Sequence, residues 1–480
     1  MRTALRVTVR LADVDCLASR WIVETLLSHH ADCDVSWKPG PCGEISFEDT
    51  DDPTRQIVFP DRILAAWRQT GRFSAMPLQM APTLASVTGE LARETGLGDI
   101  WLFEKGSASH LVVTRCESHR QTVNVDLIGN AFLILSRAEE LNSGASDEHG
   151  RFPLSASMLR DPRVHSRPVV DEYSEILRSL LSNIWPSLGH SQSARRLVLT
   201  CDVDNPTVTY GTPLLKWLRQ TCGDAVVRRS QERVWTRLRT RRIARRDFRQ
   251  DPAYTFDWMM RTAEAHETHW IFNLMTQLGS HRLDGSYGLD EDYIIAFARR
   301  AVAGGHRLGL HYAYESGNDQ GALSEEIERI RRFLGDVAQA SAGLDARGHY
   351  LRMTTPDTWN CLADAGVSDD WTLGFAEAAG FRAGTAKAYR PIDLRTGRII
   401  PIVVHPLIAM DVTLMSPRYS GLTHDQSVDR VLSIWDAMRP TGGDFVLLWH
   451  NDSLITAGEK AAFRKLLKRF APRSGDVAPD

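Results

Sequence analysis

The sequence predicts an α/β protein in two parts. A smaller α/β domain spans 1–190, and a larger domain over 191–480 is built on a parallel sheet or barrel. Three observations predict it. From Leu197 onward, short apolar runs alternate with helical stretches, the pattern of repeated strand–helix units. A Pro- and Arg-containing connector over 151–195, with a helix near Val170 to Trp185, separates that pattern from a more mixed one before it. The first apolar run, Leu197 to Cys201, ends in Asp202-Val203-Asp204 and breaks at Asn205-Pro206. This is how a buried strand delivers polar groups at its carboxyl end, where parallel folds gather their chemistry.

Composition narrows the class. The 480 residues are 43% hydrophobic and 24% charged, as in an ordinary folded protein with enough chain for two or three cores. A net charge of −3 gives no global reason to expect nucleic acid or a membrane surface as partner. Seven scattered cysteines contain no Cys-x-x-Cys pair, so neither a zinc knuckle nor a disulfide framework is indicated. The first ten residues carry charge where a signal peptide needs an apolar core, and no apolar run approaches the ~20 residues of a membrane span. The expected setting is reducing and cytoplasmic.

In the first part, Leu17 to Leu27 has helical spacing, and Asp34 to Trp37 and Glu44 to Phe47 read as short strands. Gln56 to Phe59 is a strand running into a helix that ends near Trp67. Leu111 to Thr114 and Thr122 to Val125 can pair as antiparallel strands, and a helix follows over Asn130 to Leu141. The polar stretch Asn142 to Gly150 is a loop. His29-His30 reads as structural, since adjacent residues face different ways on a helix.

In the second part, strands are expected near 197–201, 269–275, 307–312, 349–353, 371–375, 400–404 and 445–449. Helices are expected near 255–266, 290–303, 322–335, 356–365, 426–438 and 457–470. An insertion over 228–249 holds ten arginines and two acids, Glu232 and Asp247. It reads either as a solvated basic helix or as a patch that meets phosphate, with the solvated helix the simpler reading.

Several strand ends carry chemistry-bearing residues. Asp202 and Asp204, spaced i, i+2, would aim the same way and repel unless a cation or proton lay between them. His311 lies at the carboxyl end of the third strand and Glu315 just beyond it. A His with carboxylates suits a divalent metal such as zinc. Arg352 lies at the end of the 349–353 strand and could orient a carboxylate, and His450 stands at the end of the last strand. Each residue alone has a structural explanation, whereas four such strand ends together point to one site. His306, just before its strand, reads as a structural hydrogen-bonding group.

These motifs, in order over roughly 197–470, resemble the polysaccharide deacetylases of the NodB-homology, carbohydrate-esterase type. The resemblance implies a distorted (β/α) barrel and a divalent metal, and zinc is the expected ion. Thr200-Cys201-Asp202-Val203-Asp204 looks like the first motif, implying Asp202 as catalytic base and Asp204 as metal ligand. Gly305 to His311 looks like the second, with His311 a ligand. Arg352 sits where an Arg orients the base, and Asp370 where an Asp supports the final His. Leu447-Leu448-Trp449-His450 looks like the fifth motif, implying His450 as general acid. The first part also looks like the region that precedes the deacetylase domain in some bacterial members. There are two departures. Val203 separates the acids, and Glu315 stands where a second ligand His is usual. Either Glu315 is a ligand, the third ligand comes from elsewhere, or metal binding is weakened.

The implied activity is metal-assisted removal of an N-acyl group, acetyl or formyl, from an amino sugar or glycan precursor. Trp449 and the Tyr312/Tyr314 pair could wall a sugar ring or belong to the core, and Arg382 is a further candidate substrate contact. Two alternatives remain at this point. One is a carbohydrate-binding relative without activity. The other is a haloacid-dehalogenase-type phosphatase, with Asp202 as nucleophile and Asp369-Asp370 as downstream acids. A phosphate-bearing substrate would suit the Arg-rich insertion.

Overall fold

The computed structural model describes residues 5–106, 108–115, 119–141, 143–188, 194–228, 230–276, 283–285, 287–339 and 343–470. Of the residues singled out above, Met1 to Ala4, Cys116, Asn142 and Arg229 lie outside these. The protein is a mixed α/β structure with two principal sheets.

The first sheet has six strands in the order 33–39, 5–11, 44–49, 56–60, 120–123, 113–115. Leu5–Leu11 is an interior strand, next to the 33–39 edge, and its Val7, Val9 and Leu11 are buried. It had no place among the expected strands. The 113–115 and 120–123 strands pair antiparallel, as anticipated. Helices Leu17–Ser28, Ile63–Thr70, Leu127–Leu135 and Val169–Ser182 pack with this part. Every residue of the Leu127–Leu135 helix is buried, and all are apolar except Asn130, whose amide donates to the Asp126 carbonyl and accepts from Phe103 N. Asp126 caps it, accepting from Gly129 N and also from Arg62 N and Ile63 N. His29 and His30 both lie against the Ser174 hydroxyl, at 3.3 and 2.7 Å.

The second sheet has eight strands, all parallel, in the order 403–404, 369–370, 345–348, 307–312, 270–274, 195–203, 443–448, 407–410. Helices lie between successive strands from 195–203 to 369–370 and between 407–410 and 443–448, whereas a segment with a small antiparallel hairpin leads from 369–370 to 403–404. Every pairing is parallel, so all carboxyl ends emerge on one edge. Trp270–Leu274 is buried at every residue, as expected of a strand covered on both faces. The sheet is an open barrel, because its two terminal strands do not pair with each other. The fourth strand is Asp345–Gly348, not 349–353. The chain then turns through His349–Leu351.

Residues of the 162–182 segment bind the 381–386 segment of the second part. Val170 N donates to the Gly384 carbonyl at 2.8 Å and Phe381 N to that of His165 at 2.7 Å. The Asp171 carboxylate accepts from the Thr385 hydroxyl and Ala386 N. One hydrophobic core runs from Val7 to Phe470 through both parts.

Candidate metal centre and active site

The strand Arg195–Val203 turns Thr200, Asp202 and, one step past its end, Asp204 to one side, as alternate residues must. Register does the rest. Asp202 is level with Asn273 on the neighbouring strand, and Asn273 Nδ2 donates to Asp202 Oδ1 at 2.9 Å. His311 is level with Arg347 on the next pair. Arg347 Nη1 lies 3.4 Å from Asp202 Oδ1 and donates to the Thr200 hydroxyl at 2.9 Å, while its Nε donates to the Trp371 carbonyl at 3.0 Å. Asp202 is therefore held on one oxygen by an amide and a guanidinium. Its other oxygen lies 3.9 Å from His311 Nε2.

Asp204, His311 and His349 converge: one ligand atom from each lies within 4.8 Å of the others. His311 Nε2 is 3.2 Å from Asp204 Oδ1 and His349 Nε2 is 3.8 Å from Oδ2. Both imidazoles are fixed from behind. His311 Nδ1 donates to the Arg347 carbonyl at 2.9 Å, and His349 Nδ1 to Asp284 Oδ1 at 2.8 Å. With the Nδ1 proton so placed, each neutral imidazole turns its Nε2 lone pair to the cluster, as a His that binds a metal must. Asp204 Oδ1 is buried without a hydrogen-bond partner among the described residues. An orphaned carboxylate oxygen facing two imidazole lone pairs fits a divalent cation, and the two-nitrogen, one-oxygen donor set suits zinc-type ions. Without a cation the same site is held by protons: burial opposes ionisation of Asp204, but protonated His349, His311 and His450 hold its carboxyl well below the usual range.

His450 completes the other side, its Nε2 3.8 Å from Asp204 Oδ2. Its Nδ1 donates to Asp411 Oδ1 at 2.7 Å and its backbone N to Asp411 Oδ2 at 3.0 Å. Burial works against a charged imidazole, yet Asp411, with Asp204 and Asp202 beyond it, lifts the His450 pKa to about 10. These groups line one pocket of about 240 Å³, with Tyr350, Leu351, Met410, Val412, Tyr419 and Arg151 as its further walls. Tyr350 and Leu351 both sit in left-handed backbone (φ 62° and 56°), uncommon away from glycine and concentrated at functional sites. Gly285, also in the wall, must lack a side chain, since a Cβ there would stand 2.7 Å from the Asp204 carbonyl.

The structure thus gathers Asp202, Asp204, His311 and His450, and moves six other expected residues out. Glu315 is not among the clustered ligands: its exposed carboxylate pairs with Arg352 at 2.9 Å, and His349 occupies the third position. Arg352 does not reach Asp202. It donates to the His149 carbonyl at 3.0 Å and lies over the Tyr314 ring, while Arg347 is the guanidinium beside the acid. Asp370 is buried against Trp359 Nε1 and Thr372, and the carboxylate on His450 is Asp411. Trp449 is core, packed on Phe463, and Tyr312 is core with its hydroxyl 3.2 Å from that of Thr372. Arg382, 1% exposed, binds Glu140 and the Gly374 carbonyl instead of facing the pocket. His306 is structural, accepting from Trp270 N at 3.1 Å. The acids required by a phosphatase reading also lie outside the pocket, since Asp369 binds His405 and Asp370 is occupied as above.

Sequence reading missed Asn273, Asp284, Arg347, His349 and Asp411. Asp411 had a usable signal, because Leu407 to Met410 is an apolar run ending in an acid, the same pattern that exposed Asp202. Asp284 had none, being a loop acid far from any strand in sequence.

Residues 60–186 match a family of unknown function (DUF7033). No curated protein matches the chain. Among solved structures, the chain is similar to a candidate polysaccharide deacetylase from Mycobacterium smegmatis, at 18% identity and a TM-score of 0.38 over 59% of this chain and 86% of that one. It is similar to a mutant of a CE4-family pseudoenzyme at 10% identity and a TM-score of 0.30, over 58% and 63% of the two chains. It is also similar to an allantoinase at 13% identity and a TM-score of 0.35, over 59% and 88%.

Proposed function

We propose that the chain is a metal-dependent hydrolase of the polysaccharide deacetylase type that removes an N-acyl group, acetyl or formyl, from an amino sugar. One observation carries the reading: a held carboxylate, a three-residue ligand cluster and a carboxylate-backed imidazole share one pocket. Asp204, His311 and His349 would hold a divalent cation of the zinc type. Bound there, such an ion supplies Lewis-acid polarisation of an amide carbonyl and acidification of a water. Asp202, oriented by Asn273 and Arg347, accepts the proton of the attacking water. His450, kept protonated by Asp411, donates to the leaving amine nitrogen. Tyr350, Tyr419 and Met410 offer apolar surface to a ring. The volume, below the ~300 Å³ at the small end of ligand pockets, suits one sugar unit rather than a buried oligomer.

The test is release of acetate or formate from N-acylated hexosamines by protein reconstituted with zinc, cobalt or manganese. The expected result is turnover that Asp202→Asn and His450→Ala each reduce by about 10²-fold or more. A protein that takes up stoichiometric metal and binds such sugars without cleaving them would replace hydrolysis by carbohydrate binding.

A further inference from the structure

Past Asn205 the chain leaves the site and forms a helical hairpin, Leu214–Val226 and Gln231–Ala244, whose outer faces are exposed among the described residues. On the first helix, Leu214, Leu215, Leu218 and Val226 fall within about a third of the helical circumference, and all are exposed, Leu215 by 82% and Val226 by 72%. Trp217 and Asp224, on the opposite side, are the buried residues. On the second helix and the turn that ends it, the exposed side interleaves Trp235, 58% exposed, Leu238 and Ile243 with Arg239, Arg242 and Arg246. Arg242 and Arg246 make no ion pair among the described residues, nor does Arg245 beside them. The inner arginines do the anchoring: Arg233 binds Glu459 and the Asp452 carbonyl, and Arg237 binds Asp224. Exposed Leu, Val, Ile and Trp with uncompensated arginines, on a hairpin fixed beside the strand end that carries His450, is the composition of an interfacial membrane surface.

We propose that this hairpin docks the protein onto an anionic phospholipid bilayer, the apolar side chains entering the acyl boundary and the arginines meeting headgroup phosphates. No helix among the described residues is long and apolar enough to cross a membrane, so the contact is peripheral. Charge complementarity selects this partner. A second copy of the chain would bring the same arginines face to face across a two-fold axis. A soluble phosphate or a nucleic acid would leave Leu215, Val226 and Trp235 in water. The inference is independent of amide hydrolysis.

Sedimentation of the full chain with vesicles tests it. Vesicles of equimolar phosphatidylglycerol and phosphatidylcholine are compared with pure phosphatidylcholine, at low and high salt. The expected result is binding to the anionic vesicles about tenfold or more tighter than to neutral ones, weakened by salt. Arg239→Glu/Arg242→Glu/Arg246→Glu and Leu215→Ser/Val226→Ser/Trp235→Ser should each lower it about tenfold or more, with unchanged melting temperature because all six residues are exposed. Equal sedimentation with both vesicle types would overturn the proposal. So would a charge variant that loses binding while the serine variant keeps it, which marks a general polyanion patch. A dimer in solution that the serine variant dissociates would assign the face to self-association instead.

Discussion

The two histidines around Asp204 differ from Glu315 in what stands behind them. His311 and His349 are buried and each hands its Nδ1 proton to a fixed oxygen, whereas the Glu315 carboxylate is 61% exposed and already paired with Arg352. Metal content should therefore fall with His349→Ala as far as with His311→Ala, while Glu315→Ala stays near stoichiometric. Elemental analysis of the three variants decides it, and metal loss only in the Glu315 variant would refute the ligand set. Asp284 acts one bond further out, so Asp284→Asn should weaken metal affinity about 10–100-fold with every ligand in place. At the other side of the pocket, Asp411→Asn removes the charge that keeps His450 protonated. It should lower kcat about 10²-fold or more with little change in KM, since the amide still holds the ring but no longer favours the imidazolium. A variant that raised KM alone would show that Asp411 serves binding instead.

At the level of elements, the strand–helix alternation was legible because parallel strands are apolar and short and the returning helices amphipathic. That alternation located Asp202, Asp204, His311 and His450 at strand ends. It failed where burial and polarity part company. Asp345–Gly348 carries an Asp and an Arg and reads as a loop, yet all four residues are buried because Arg307 and Trp371 bind Asp345 while Thr200, Asp202 and the Trp371 carbonyl take Arg347. The apolar residues just after it drew the expected strand downstream, and with it the guanidinium assignment from Arg347 to Arg352. Close approach between elements was equally hidden. Gly380 lies where the Pro162–His165 helix meets the second sheet, and a Cβ there would fall on the His165 carbonyl. Gly380→Ala should cost about 1–3 kcal/mol, through overpacking together with a positive φ of 154° that a side chain disfavours. Gly223, in a helix with nothing within 4 Å of its Cβ position, should gain about 0.5–1 kcal/mol on the same change. Denaturant titration reads both, and equal effects would deny the contact its role.

The whole molecule depends on the join between its two parts, which a boundary near residue 190 passes over. Glu140, from the first part, has a carboxylate only 5% exposed and lies between Arg137 and Arg382, with Thr355 donating to its second oxygen. Arg382 belongs to the second part, so neither part keeps this network alone, and removing 1–190 would leave a buried guanidinium without its acid. The network also sets a pH dependence. Burial alone would raise the Glu140 carboxyl, but Arg382 and Arg137 bring it from 4.5 down to about 2. A carboxylate held lower in the folded than in the unfolded chain adds stability that is complete above its unfolded value and is lost as pH falls toward its folded value. That difference corresponds to about 3 kcal/mol, at about 1.4 kcal/mol per pH unit. Urea unfolding of wild type and Glu140→Gln should therefore differ by a few kcal/mol at neutral pH. The gap should stay constant down to about pH 4.5 and close progressively toward pH 2. A gap that persisted unchanged through that window would mean that the glutamine disturbs packing alone, and that the charge of Glu140 does not hold the two parts together.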